Sequence, residues 1–247
     1  LPDSPSYWRA TRAPRYSLTF ALPLLALYEL LAFTLSGHAM AGVRNGADVL
    51  LKSLFIQFGG RDGLIAFGAL LIGTGAVLVW RDLQRGGSIR PRYFLLMAAE
   101  SVAYALAFGM VVGMLTGLLL GGIVLAHPAG LALPAAELSL ASQLVISLGA
   151  GIYEELLFRV LLVGSLAWLG RAVFGWRPAW AGVFATLLGA LIFSAFHYIG
   201  PYGDRLELPS FTFRALAGIV FSALYLTRGL GITAWTHALY DVFLALA

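Results

Sequence analysis

The sequence predicts an all-α, polytopic integral membrane protein: a bundle of about seven transmembrane helices plus one helix lying in the interface. Composition and run length carry that prediction. Of 247 residues, 60% are hydrophobic and 11% charged, against about 25% charged in soluble domains, and mean hydropathy is +0.86. So little charge cannot cover the surface of a soluble monomer. The apolar residues also fall into runs about as long as a helix needs to cross roughly 30 Å of hydrocarbon.

The elements follow in order. Residues 1–15, LPDSPSYWRATRAPR, are polar, Pro-rich and basic. They could serve as the n-region of a signal peptide, but the apolar run behind them shows no small-residue cleavage site and reads as a retained span. Spans are expected at about 16–35, 64–80, 93–125, 140–168, 180–199, 211–227 and 230–247. Between the first two, Leu50, Leu51, Leu54, Phe55 and Phe58 recur at helical spacing with Asp48 and Lys52 elsewhere on the wheel, which predicts an interfacial amphipathic helix over 47–59. The 93–125 stretch would measure about 50 Å at roughly 1.5 Å per residue, so it must tilt, protrude or break near Gly109, Gly113 or Gly117. A break there would make eight spans.

Basic residues set the orientation. Segments 1–15, 81–92, 169–179 and 228–229 hold ten Arg, whereas the opposite segments hold Arg44, Lys52, Arg61 and Arg205. That bias places the N-terminus, with residues 1–15, in the cytoplasm. The scattered basic loops beside apolar spans argue for membrane orientation and against nucleic acid as a partner. The absence of Cys excludes disulfides, thiolate metal sites and a cysteine nucleophile. Arg makes up 15 of the 16 basic residues, with Ala, Gly and Leu abundant, a composition typical of high-GC bacteria and hence of an inner-membrane location. No repeat or long linker divides the chain, so 16–247 is expected to form a single transmembrane domain.

Ionisable residues inside the spans are the functional candidates, because each costs about 2.5–3.5 kcal/mol at a helix centre. Glu29 and Glu100 stand alone and are expected to serve packing; His38 and His127 fall in loops. The span 140–168 differs. Its segment GAGIYEELLFR carries Glu154, Glu155 and Arg159. Glu155 and Arg159, at i and i+4, share a face and can pair, while Glu154 points elsewhere, free for another partner. That arrangement is open to two readings, a general base or an ion pair for helix packing. Phe193 and His197 lie one turn apart at the end of the fifth span, and His237 and Asp241 share a face of the last. Converged in one cavity, Glu154, His197, His237 and Asp241 can hold and deprotonate a water and stabilise an oxyanion.

These residues carry a resemblance. EELLFR (154–159), FSAFH (193–197) and HALYD (237–241) resemble the motifs E-E-x-x-x-R, F-x-x-x-H and H-x-x-x-N/D of the CAAX-protease and bacteriocin-processing (Abi) family of intramembrane endopeptidases, in the same order and each within its own late span. The resemblance covers about 140–247, the expected catalytic core. It implies a glutamic-type peptidase. Glu154 would activate water, His197 would position it, and His237 and Asp241 would orient it or serve the oxyanion. Glu155, Arg159 and Phe193 would shape the surroundings. The prenyl-protein proteases carry Asn at the last motif position, so Asp241 departs from their pattern and loosens the implication of prenyl specificity.

No cofactor is expected. Zinc is the secondary alternative, with His197, His237 and Glu154 as its ligands, but no HExxH occurs. The implied partners are the lipid bilayer and a membrane-anchored protein or peptide, cut near its membrane-embedded C-terminus. In the seven-span topology the catalytic water is reached from the extracytoplasmic half. Two rivals use the same residues: a proton-coupled transporter built on a Glu/His/Asp relay, and a non-catalytic scaffold or immunity protein.

Overall fold

The computed structural model describes residues 6–36, 43–85, 88–120, 138–200 and 203–247, and His38 and His127 lie outside them. The described residues form α1 (Tyr7–Thr11), α2 (Pro14–Ser36), α3 (Gly46–Gln84), α4 (Arg92–Leu119), α5 (Leu140–Gly149), a π-helical segment (Ala150–Val163), α6 (Gly164–Ala172), α7 (Pro178–Phe196), α8 (Leu208–Arg228) and α9 (Leu230–Leu246). Helices α2, α3, α4, α7 and α8 are each long and apolar enough to cross a membrane. The continuous rod α5–π–α6 and the 17-residue α9 are further apolar helices beside them. The chain is a multi-pass helical membrane protein.

Three of the expected elements take unexpected forms. First, 47–59 and 64–80 are run together in α3, but Gly60 interrupts it with φ 56° and ψ −133°, a conformation open to glycine and strained for other residues. The chain turns so sharply there that a Cβ on Gly63 would lie 2.0 Å from the Phe55 carbonyl oxygen, and the Phe55 and Phe67 rings sit 5.2 Å apart. The short arm before the turn buries its polar side. Asp48 and Lys52 are inside the protein, while Leu50, Leu54 and Phe58 are exposed. Second, the 93–125 stretch is one unbroken helix as far as Leu119, running straight through Gly109 and Gly113. Third, the 140–168 span widens over Ala150–Val163 into π-helix, whose i→i+5 bonds are uncommon and concentrate at functional sites.

Outward faces are apolar, as lipid requires. On α4, Leu95, Leu106, Met110 and Met114 are all more than 60% exposed, a surface that water would not tolerate but hydrocarbon does. Trp168, Trp176 and Trp180 lie exposed around the α6–α7 connection beside Arg171 and Arg177, the pattern of a membrane-interface belt.

Helix α9 sits at the centre, packing on α2, α4, α5, the π segment and α8. Small residues permit this. A Cβ on Gly151 would lie 2.4 Å from the Ala234 carbonyl oxygen and 2.5 Å from the Ala238 Cβ, so the π segment and α9 meet almost backbone to backbone, as small residues allow in membrane bundles. That approach brings the face of α9 holding His237 against the helix holding Glu154 and Glu155. At one end of the bundle, Arg228 is fully buried. It grips Glu100 with Nε at 2.6 Å and Nη2 at 2.7 Å, and its Nη1 donates to the Trp8 carbonyl. Tyr7 donates to the same carboxylate. Glu100 thus has a packing role, tying the N-terminal segment to α4 and α8.

Gly151→Ala is expected to destabilise the protein by about 1–3 kcal/mol, the usual cost of overpacking. Gly73→Ala, where a Cβ meets nothing within 4 Å among the described residues, should leave stability unchanged or raise it. Thermal unfolding of both variants in the same detergent checks the pair.

Candidate active site

Two carboxylates stand side by side on the π segment, and the fold gives each its own partners. Glu155 is fully buried and Glu154 is 7% exposed. Glu155 Oε2 lies 3.2 Å from Arg159 Nε, so the i, i+4 pairing survives the wider π turn. Glu155 Oε1 also lies 2.7 Å from His237 Nδ1. A carboxylate accepts, so this contact assigns the proton to Nδ1. The opposite nitrogen of His237, Nε2, faces Asp241 Oδ2 at 3.6 Å.

Arg159 is held by ring faces as much as by charge. Its Cζ lies 4.4 Å from the Phe193 ring centroid and 5.3 Å from that of Phe221, within cation–π range. The Phe221 ring in turn stacks on His237 at 4.3 Å. Phe193 therefore touches the guanidinium on one side and packs edge-on to His197 at 4.9 Å on another.

Glu154 belongs to a second group. Its Oε1 accepts a hydrogen bond of 2.8 Å from the Asn45 side-chain amide. Among the described residues its Oε2 has no hydrogen-bond partner, and it lies 4.0 Å from His197 Nε2. His197 is fixed from behind, with Nδ1 2.8 Å from the Phe193 carbonyl oxygen. A carbonyl can only accept, so Nδ1 donates and Nε2 is the atom turned towards Glu154. His197 caps α7, and Asp204 is tied back to it. The Asp204 amide donates to the His197 carbonyl, and Asp204 pairs with buried Arg214 at the start of α8.

All seven residues singled out in the three motifs thus gather around Phe193 and Arg159, in two sets: Glu154 with His197, and Glu155 with Arg159, His237 and Asp241. His237 partners Glu155 directly. Glu154 Oε1 and both Nδ1 atoms are committed to protein partners, and among the described residues no three His, Cys, Asp or Glu side chains form a metal-holding group.

Comparison with known proteins points to one family. Residues 136–243 match the model of the Rce1-like family, described as type II CAAX prenyl endopeptidase Rce1-like. The match spans less than half of the chain, and over those residues the chain is similar to the Rce1-like CAAX-protease family. That similarity supports a CAAX-type intramembrane peptidase acting on a membrane-associated peptide substrate. No curated protein and no solved structure gives a match.

The Rce1-like region holds all three motifs, yet the contact on Glu154 Oε1 comes from outside it, from Asn45. Sequence reasoning passed over Asn45 because a lone polar residue before a helix reads as an ordinary cap, which it also is: its Oδ1 accepts from the Ala47 amide at 2.8 Å. Glu29 also proves to have close company. It lies 2.7 Å from Lys52 and 3.3 Å from Arg44 and accepts from Tyr153. Asp48 pairs with Arg44 and Lys52, each at 2.7 Å. The signal was present in the charge pattern, since two acids and two bases within two neighbouring helices cancel.

Arg159→Ala is expected to cost about 3–5 kcal/mol, because it strands a buried carboxylate. Arg159→Lys should recover only part of that loss, since an ammonium cannot lie flat between two rings. Unfolding in detergent micelles measures both; equal stability of the Ala and Lys variants would contradict the stacking account.

Proposed function

We propose that this Rce1-like chain hydrolyses a peptide bond near the membrane-embedded C-terminal region of its substrate by a glutamate-activated water, without metal. One observation carries the reading: the unpartnered Oε2 of Glu154 and the Nε2 of His197 face each other at 4.0 Å. That gap is too wide for a direct hydrogen bond. In the proposed reaction a water enters between them and donates one hydrogen to each.

In the proposed reaction Glu154 Oε2 takes a proton from this water as its oxygen attacks the scissile carbonyl carbon. The carbonyl oxygen becomes the oxyanion of a tetrahedral intermediate. The C–N bond then breaks as the proton held by Glu154 passes to the departing amine, leaving a carboxylic acid on the upstream fragment whose own proton then passes to the released amine. A positioned base of this kind contributes about 10²–10⁴-fold. His197 orients the water.

His237 and Asp241 serve the oxyanion. With Nδ1–H given to Glu155, the Nε2 and Oδ2 atoms facing each other at 3.6 Å are both acceptors unless a proton resides on one of them. A proton shared there makes a donor out of two acceptors, which is how Asp241 can stand where the prenyl-protein proteases have Asn. Glu155 and Arg159 hold His237 in place. The Arg-rich segments 1–15 and 81–92 favour a cytoplasmic N-terminus, and the Arg-dominated composition favours a bacterial inner membrane.

Two peptides test the activity, one ending in a farnesylated C-a-a-X tail and one ending in an unmodified hydrophobic helix, with products read by mass spectrometry. The wild-type chain is expected to cut at least one, and Glu154→Gln to lose about 10³-fold or more in turnover while unfolding at the wild-type temperature. His197→Ala should lose about 10²-fold. Full turnover by Glu154→Gln would eliminate Glu154 as the base.

A further inference from the structure

The proposed reaction requires that one particular oxygen of Glu154 be the base, and the contacts outside the Rce1-like region bear on which one. We infer that Asn45 is a positioning residue for Glu154: by donating to Oε1 it fixes the carboxylate plane and leaves Oε2 as the oxygen presented to His197. The inference rests on the glutamate-base reading above and extends the machinery to the first turn of α3.

A carboxylate on a two-torsion stem inside a protein has no reason to hold one orientation unless something engages one oxygen. Here the Asn45 Nδ2 to Glu154 Oε1 bond of 2.8 Å joins residues far apart in sequence. Both ends are buried, Asn45 at 3% exposure. Water therefore cannot easily replace the amide, and a lost partner would cost heavily.

Asn45 is in turn held at every polar atom. Its Oδ1 accepts from the Ala47 amide at 2.8 Å, and its backbone amide donates to the Tyr28 hydroxyl at 3.2 Å. That hydroxyl donates to Asp48 Oδ2 at 2.7 Å, and Asp48 is locked by Arg44 and Lys52. Because Oδ1 is taken by the helix amide, the side-chain amide has only one orientation, with Nδ2 towards Glu154. The assignment of oxygen and nitrogen follows from these partners and not from shape alone.

Asn45 caps α3, and its contact with Glu154 joins that helix to the π segment. The packing that allows this depends on Gly149. A Cβ there would lie 2.6 Å from both the Asn45 Cβ and the Tyr28 Cε2, so this glycine, one position before the π segment, lets α2 and the start of α3 close on the helix that bears Glu154.

Asn45→Asp isolates the role. Asp caps a helix as well as Asn does, so a residue that served only as a cap would tolerate the change. Toward Glu154, however, the change replaces a donor by an acceptor. Turnover of the cleaved peptide is expected to fall about 10²-fold with KM within about threefold, and the unfolding temperature to drop. The polarity swap Asn45→Asp with Glu154→Gln restores a donor–acceptor pair and should regain most of the lost unfolding temperature while remaining inactive. The inference is overturned if Asn45→Asp keeps wild-type kcat, or if the single and swapped variants unfold at the same lowered temperature. The unfolding comparison needs no substrate, so failure of the Asn45 contact is read separately from failure of the peptidase reading, which Glu154→Gln alone reports.

Discussion

Two adjacent carboxylates cannot share one environment in the interior of a membrane protein. Glu154 and Glu155 are neighbours in the chain, both buried, and the surrounding architecture answers that constraint. Their side chains leave the helix in different directions, and each meets partners drawn from different helices. Glu155 receives a cation and an imidazole, whereas Glu154 receives one amide on one oxygen and, among the described residues, no hydrogen-bond partner on the other. The asymmetry matters because a fully satisfied acid is a packing element. A half-satisfied one beside a histidine is equipped to handle a proton.

The consequence runs through the fold. Bringing His237 to Glu155 requires α9 to lie against the π segment at Gly151, and bringing Asn45 to Glu154 requires α2 and α3 to close at Gly149. The two glycines stand two residues apart on the same helix, each admitting a different neighbour just before the paired acids. The π geometry follows immediately. A wider turn displaces side chains from the positions an α-helix would give them, and such segments concentrate where function needs that displacement. Aromatic faces supply the rest. Phe193 and Phe221 hold Arg159 by their π electrons, beside its ion pair with Glu155.

Much of this was legible in the chain itself. The helical class, the seven apolar segments and the three motifs could be read from composition, run length and spacing, because insertion costs make every intramembrane charge conspicuous. The Glu155–Arg159 pair followed from i, i+4 spacing, and the π turn preserved it. What escaped notice depended on tertiary contact. Asp48 and Lys52 look like the wet side of an interfacial helix until Glu29 and Arg44 are seen to neutralise them. Asn45 has no periodicity and no motif, so only its distance to Glu154 marks it. His237 could be placed on the right face from its spacing to Asp241, but its choice of Glu155 over Glu154 depended on the angle at which α9 crosses the π segment.

The central claim is that one water is shared by Glu154 and His197 across two helices, and a cryo-EM or crystallographic map fine enough to place ordered solvent tests it most directly. The account predicts water density within hydrogen-bond reach of both Glu154 Oε2 and His197 Nε2, with the Asn45 amide on Oε1. A carboxylate turned towards lipid, or a metal ion bound between these side chains, would contradict it.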